Sequence, residues 1–101
     1  MTDSARFDDL IHPATRLSIV ALLAAADWAD FAFVRDQLGL SDSALSKQLA
    51  TLEEAGYVAI ERPLSERRRR VRARLTPLGR ARFAGHVAAL RGIIASSTSE
   101  A

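Results

Sequence analysis

The 101-residue sequence has no cysteine, only two histidines, and no apolar run near the roughly 20 residues that a membrane span requires. Without cysteine, neither a disulfide framework nor a thiolate metal site can form. The histidines, His12 and His86, lie in different segments, and no His-Glu zinc motif surrounds either, so no metal is expected. A nucleophile elbow and a phosphate-cradling glycine loop are also missing, so neither catalysis nor a cofactor is expected. Residues 1–9 are acidic and polar where a secretory signal is basic and then apolar, which points to a cytoplasmic protein with no membrane partner. What is present is an ordinary globular composition, 49% hydrophobic, in a chain long enough for one domain (1–101) with one modest core.

Periodicity and punctuation divide the chain into six pieces. Phe7, Leu10 and Ile11 at helical spacing predict a short helix over 3–11, which Pro13 would stop. Pro13 then suits the first position of a core helix over 13–26, whose Leu17, Ile19, Val20, Leu22 and Leu23 make it apolar on most sides. Phe31, Val34 and Leu38 mark one side of a helix over 32–38 that Gly39 ends. Ser41 is a good N-cap and Asp42 a first-turn acid, so a further helix is predicted over 41–55, with Leu45, Leu49 and Leu52 inward and Gly56 at its end.

After Gly56 the hydrophobic period changes from about 3.6 residues to about 2. Residues 57–61 and 71–75 read as the strands of a hairpin spanning 57–75, where Val71, Ala73 and Leu75 alternate with Arg70, Arg72 and Arg74. Pro77 opens a last helix over 77–96, in which Phe83, Val87, Leu90 and Ile94 form a narrow seam suited to pairing with another helix. The expected class is α+β, mainly α with a small β-hairpin.

The net charge of +2 conceals a division along the chain. Residues 1–56 carry four cations against nine acids, a net of −5, and residues 57–101 carry ten arginines against three acids, a net of +7. Seven of those arginines lie from Arg62 to Arg74, on or beside the hairpin. Guanidinium groups suit phosphates and narrow minor grooves, so the hairpin is expected to contact a polyanion. A merely solvated charged face is the plainer alternative, but the helix-turn-helix pattern directly before the run favours nucleic acid. A membrane surface fits less well, since no exposed Trp or Phe accompanies the basic residues.

Four stretches, in this order and spacing, carry a resemblance: His12 to Ile19 (HPATRLSI), Gly39 to Leu49 (GLSDSALSKQL), Leu52 to Val58 (LEEAGYV) and Leu75 to Arg80 (LTPLGR). Together they resemble the winged helix-turn-helix of bacterial MarR- and ArsR-type transcriptional regulators, above all the short stand-alone forms, over nearly all of Ile11 to Ile94. The resemblance implies that the 41–55 helix is a recognition helix in the major groove, with Ser41, Ser43, Ala44, Ser46, Lys47 and Gln48 nearest the DNA. Arg67, Arg68, Arg69, Arg70 and Arg72 of the wing would enter the adjacent minor groove. The terminal helices would form a dimer through Phe7, Leu10, Phe83, Val87, Leu90 and Ile94. Chemically, Gln48 suits an adenine edge and Lys47 a guanine or a phosphate.

The expected function is that of a homodimeric, sequence-specific double-stranded DNA-binding regulator, a repressor, acting on a palindromic operator. Two alternatives stay open. One is a winged-helix protein–protein interaction module. The other is a regulator responsive to a small aromatic or lipophilic effector, with Trp28 and Phe31 lining a cleft at the dimer interface. The chain departs from ArsR-type metal sensors, which use cysteine thiolates, and from MarR-type proteins, which commonly have longer terminal helices.

Individual residues also carry expectations. Arg16 stands near the start of an apolar helix, where the dipole disfavours a cation, so it should meet an acid or a DNA phosphate. His12 is expected to cap or pack, and His86 to lie on the surface or in the dimer seam. Trp28 is expected in core or dimer packing, or else in a ligand wall.

Overall fold

Ile11, Ile19, Val20, Leu23, Val34, Leu45, Leu49, Leu52, Val58, Ala73 and Leu75 meet in one buried cluster. The structure is a computed structural model that describes residues 5–62 and 70–98. In chain order its elements are α1 (Ala14–Ala24), β1 (Ala29–Asp30), α2 (Phe31–Leu38), α3 (Asp42–Glu54), β2 (Val58–Glu61), β3 (Arg72–Leu75) and α4 (Pro77–Thr98). The strands form one antiparallel sheet in the order β1-β3-β2, with Val58 opposite Leu75 and Ala29 opposite Ala73. Among the described residues, four helices and this three-stranded sheet make a winged helix-turn-helix, and no helix is long and apolar enough to cross a membrane.

The helix predicted over 3–11 does not form in the described residues. Residues 5–8 are irregular and 9–11 make a turn. The reason is local: Asp8 Oδ1 accepts hydrogen bonds from the Leu10 N–H at 2.9 Å and the Ile11 N–H at 3.1 Å, a short side-chain-to-backbone turn that competes with the helix. The Arg6 N–H donates to the Gly85 carbonyl at 2.9 Å, which ties the segment to α4 instead of to itself. The two-residue strand β1 was also not foreseen, because it falls in the break between α1 and α2 and is too short to show a period.

The α1 helix closes at Ala24, two residues before its expected end. Arg80 of α4 donates to the carbonyls of Ala24 at 3.2 Å and Ala26 at 3.0 Å, placing a cation where the helix leaves its acceptors unpaired. Between α2 and α3 the chain reverses at Gly39, whose φ of 64° lies in the left-handed region that side chains disfavour. Arg35 then clamps the two helices, donating to Asp36 at 2.9 Å and to Asp42 at 2.8 Å. Ser41 caps α3 by accepting from the Ala44 N–H at 3.1 Å.

The start of α4 is fixed by Thr76. Its hydroxyl accepts from the Gly79 N–H at 3.0 Å and donates to the Gly56 carbonyl at 2.6 Å, while its own N–H donates to the Tyr57 carbonyl at 3.0 Å. This draws α4 onto the entry to β2 so closely that a Cβ at Gly79 would lie 2.1 Å from the Tyr57 carbonyl oxygen. Gly92, in the same helix, has open space around it. Gly79→Ala is therefore expected to destabilise the fold by about 2 kcal/mol or more through overpacking against backbone. Gly92→Ala should stabilise it by up to about 1 kcal/mol through helix propensity alone. Urea unfolding midpoints of the two variants check the contrast.

Candidate nucleic-acid interface

The three inward leucines of α3 turn its opposite side outward. Ser43, Ser46 and Lys47 are exposed there, and Ala44 and Gln48 are half-buried at its margin. Ser41 is exposed, but its hydroxyl is engaged as the cap of α3. Gln48 is also engaged: its Oε1 accepts from Arg16 Nη1 at 2.9 Å, while Arg16 Nε donates to the Leu10 carbonyl at 2.6 Å. Among the described residues of the chain, Arg16 thus meets a neutral amide and a backbone carbonyl where an acid of the chain itself was one expectation.

The wing follows from the alternation of β3, which buries Ala73 and Leu75 and turns Arg72 and Arg74 to the other face. Arg72 stands in register between Asp30 of β1 and Glu61 of β2 and donates to Glu61. Arg70 reaches Asp30 at 3.3 Å, and Arg62 lies 3.9 Å from Glu53. These are exposed ion pairs, each worth about 0–1 kcal/mol, so exchanging a carboxylate for a phosphate costs little. The guanidinium groups of Arg72 and Arg74 also lie over the Trp28 ring, at 4.5 and 5.1 Å from its centroid. Arg67, Arg68 and Arg69 lie outside the described residues.

Spacing alone had not paired Trp28 with these arginines, because the contact runs through β1. Arg74 is counted among the seven hairpin arginines but not among the individual DNA contacts that the resemblance implies. Its place two residues beyond Arg72 on the same face was the available signal. Within the single chain, Trp28 and Phe31 border different cavities. Trp28 borders a cavity of about 320 Å³ with Arg74 and Arg80, and Phe31 borders one of about 340 Å³ between α3 and the wing.

Away from this face, a buried polar cluster anchors the N-terminal segment. Asp8 Oδ2 accepts from the Tyr57 hydroxyl at 2.7 Å, and the Asp8 N–H donates to His86 Nδ1 at 2.9 Å. His86 is fully buried, not at the surface, and its Nε2 lies 3.3 Å from His12 Nδ1. Since Nδ1 of His86 accepts, its proton sits on Nε2, which donates to His12. The Phe7 ring packs against both imidazoles with centroids 4.7 Å apart, tilted to His12 and edge-on to His86. Burial pushes the Tyr57 hydroxyl pKa up, helped by the hydrogen bond to Asp8. Burial, with His12 as the second cause, pushes His86 down against the opposing pull of Asp8 and Asp9.

Of the residues expected to form a dimer seam, Leu10 and Phe83 pack against the chain's own core, and Val87 and Leu90 are half-buried. Phe7 and Ile94 are 41% and 61% exposed, and Ile93, beside Ile94, is 56% exposed.

Residues 15–94 match the family described as the winged helix DNA-binding domain, and the chain belongs to that family. Among solved structures, a transcriptional regulator homologue from Pyrococcus horikoshii superposes with a TM-score of 0.83, at 21% identity over 88% of each chain. The transcriptional regulator BldR from Sulfolobus solfataricus superposes at 0.64, with 22% identity over 84% of this chain and 62% of its own. An uncharacterized protein of Methanocaldococcus jannaschii is 27% identical over 78 residues, 77% of this chain and 85% of that protein. The structural likenesses show that the fold is shared with these winged-helix proteins.

The buried histidine makes stability depend on pH in a defined direction. As pH falls below the ordinary histidine value of 6.5, the unfolded chain takes up a proton that folded His86 resists. Stability should be level between about pH 7 and about pH 9 and decline toward about pH 5. His86→Asn, whose Oδ1 takes the place of Nδ1 and can still accept from the Asp8 N–H, should flatten that decline. Urea unfolding across this range measures both.

Proposed function

We propose that the chain is a homodimeric, sequence-specific double-stranded DNA-binding transcriptional regulator that represses from a palindromic operator. The observation that carries this reading is the pairing of a capped α3, with Ser43, Ser46 and Lys47 outward, and a sheet whose outer face is lined by Arg72 and Arg74. The helix fits a major groove, and the wing, with Arg67, Arg68, Arg69 and Arg70, reaches the minor groove beside it. The serines, Lys47 and the arginines supply mainly phosphate contacts, which set affinity and register.

Dimerisation rests on α4. It has 22 residues, about 33 Å at 1.5 Å per residue, and the molecule is 58 Å along its longest axis. Its last turns carry Ile93 and Ile94 in the open, next to half-buried Leu90. A two-fold pairing of these helices covers that stripe and sets two α3 helices for half-sites about one helical turn apart or a multiple of it.

Two measurements test the reading. In anisotropy titrations of labelled duplex over a range of salt, Arg68→Ala with Arg69→Ala should weaken binding to all sequences and reduce the salt slope by about two. Absence of duplex binding at low salt would instead favour a protein-interaction module. In sedimentation the wild type should be a dimer and Ile93→Glu with Ile94→Glu a monomer near 11.0 kDa. A wild-type monomer at micromolar concentration would contradict the dimer.

A further inference from the structure

We propose that Arg16 is a positioning residue for sequence recognition: it holds the Gln48 amide by its oxygen, so that Gln48 meets DNA as a hydrogen-bond donor. This rests on the DNA-binding reading above. A glutamine amide offers one acceptor oxygen and one donor NH2, and bidentate recognition of adenine uses both. In this chain the oxygen is taken by a guanidinium at 2.9 Å, a charge-assisted bond. Turning the amide over would set its NH2 against Arg16, donor to donor. The NH2 is therefore the group offered to a base, and the acceptors that it tells apart are guanine O6 and thymine O4, since N7 is common to both purines.

Arg16 is itself held in place. Its Nε donates to the Leu10 carbonyl at 2.6 Å, and because the guanidinium is planar and rigid, that bond fixes the plane in which Nη1 meets Gln48. The peptide that carries this carbonyl is pinned in turn, its N–H, that of Ile11, donating to Asp8 Oδ1 at 3.1 Å, and the Leu10 N–H donates to the same oxygen at 2.9 Å. Asp8 is buried and bonded to Tyr57 and His86. A chain of hydrogen bonds thus runs from α4 through the N-terminal segment to the recognition helix, and Arg16 is its last member before Gln48. A lysine at this position would keep the charge but not the fork that serves Leu10 and Gln48 together.

The test uses the duplex that the wild type selects from a random pool, together with its single-base variants. The wild type should prefer guanine or thymine at the step Gln48 faces. Arg16→Met should relax that preference by about tenfold, at the positions relaxed by Gln48→Ala. Combining the two should add nothing further, and the salt slope should not change. Gln48→Glu, which keeps a partner for Arg16 but removes the donor, should lose the preference while remaining folded.

The proposal is overturned if Arg16→Met weakens all duplexes equally with a salt slope smaller by about one, which marks a phosphate contact. It is also overturned if base preferences stay as in the wild type or change at positions Gln48→Ala leaves alone. A readout without DNA separates this from the parent reading: in the free protein, Arg16→Lys should move the NMR resonances of the Gln48 side-chain amide, and unmoved resonances refute the positioning role. Failure of the wild type to bind any duplex would instead refute the DNA-binding reading.

Discussion

The alternation of β3 is the constraint on which the molecule depends. It is the middle strand of the sheet, paired with β1 on one side and β2 on the other. Ala73 and Leu75 must go inward to close the core, so Arg72 and Arg74 must go outward, and a slip of one residue would bury two cations. Arg72, between Asp30 and Glu61, reinforces the same register electrostatically. The sheet also fixes the helix-turn-helix, because the first N–H of α2, that of Phe31, donates to the Val71 carbonyl at 2.7 Å. The strand and the residue that leads into it therefore set both the cationic face and the origin of the helices beside it.

A second constraint comes from the opposite side. Tyr57, which begins the path into β2, binds Asp8 through its hydroxyl and receives Thr76 and Gly79 at its carbonyl. The N-terminal segment, the sheet and α4 therefore meet at one residue. Because Asp8 leads through Leu10 to Arg16 and Arg16 to Gln48, the position of α4 is connected physically to α3. In a dimer built on α4, the partner would bear on the same chain of contacts.

Much of this was legible in the sequence where the signal is local. Ser41 before an acid, Gly39 and Gly56 at the helix ends, Thr76-Pro77 at the start of α4 and the strict alternation of 71–75 are each a backbone requirement satisfied by the residue at that position. The parts that were missed are non-local. Helical spacing at Phe7, Leu10 and Ile11 was real but outweighed by Asp8 binding the backbone beside it, and by His86, 78 positions away, receiving the Asp8 N–H. Nothing in the spacing of Arg16 shows that α3 brings Gln48 within its reach. Trp28 could not be matched with Arg72 and Arg74 until β1 was known to pair with β3.

The charge division of the sequence has a physical counterpart in this arrangement. Acids of β1, β2 and α3 hold Arg62, Arg70 and Arg72 by weak exposed pairs, while Trp28 gives Arg72 and Arg74 a flat support. The wing cations are thereby oriented yet available for exchange onto phosphate. The most direct measurement of whether α3 and the wing act together is amide hydrogen exchange with and without a bound duplex. Joint protection of residues 41–51 and 70–75, with the last turns of α4 unchanged, is the predicted result. Protection confined to α4, with the α3 surface exchanging as in the free protein, would contradict it.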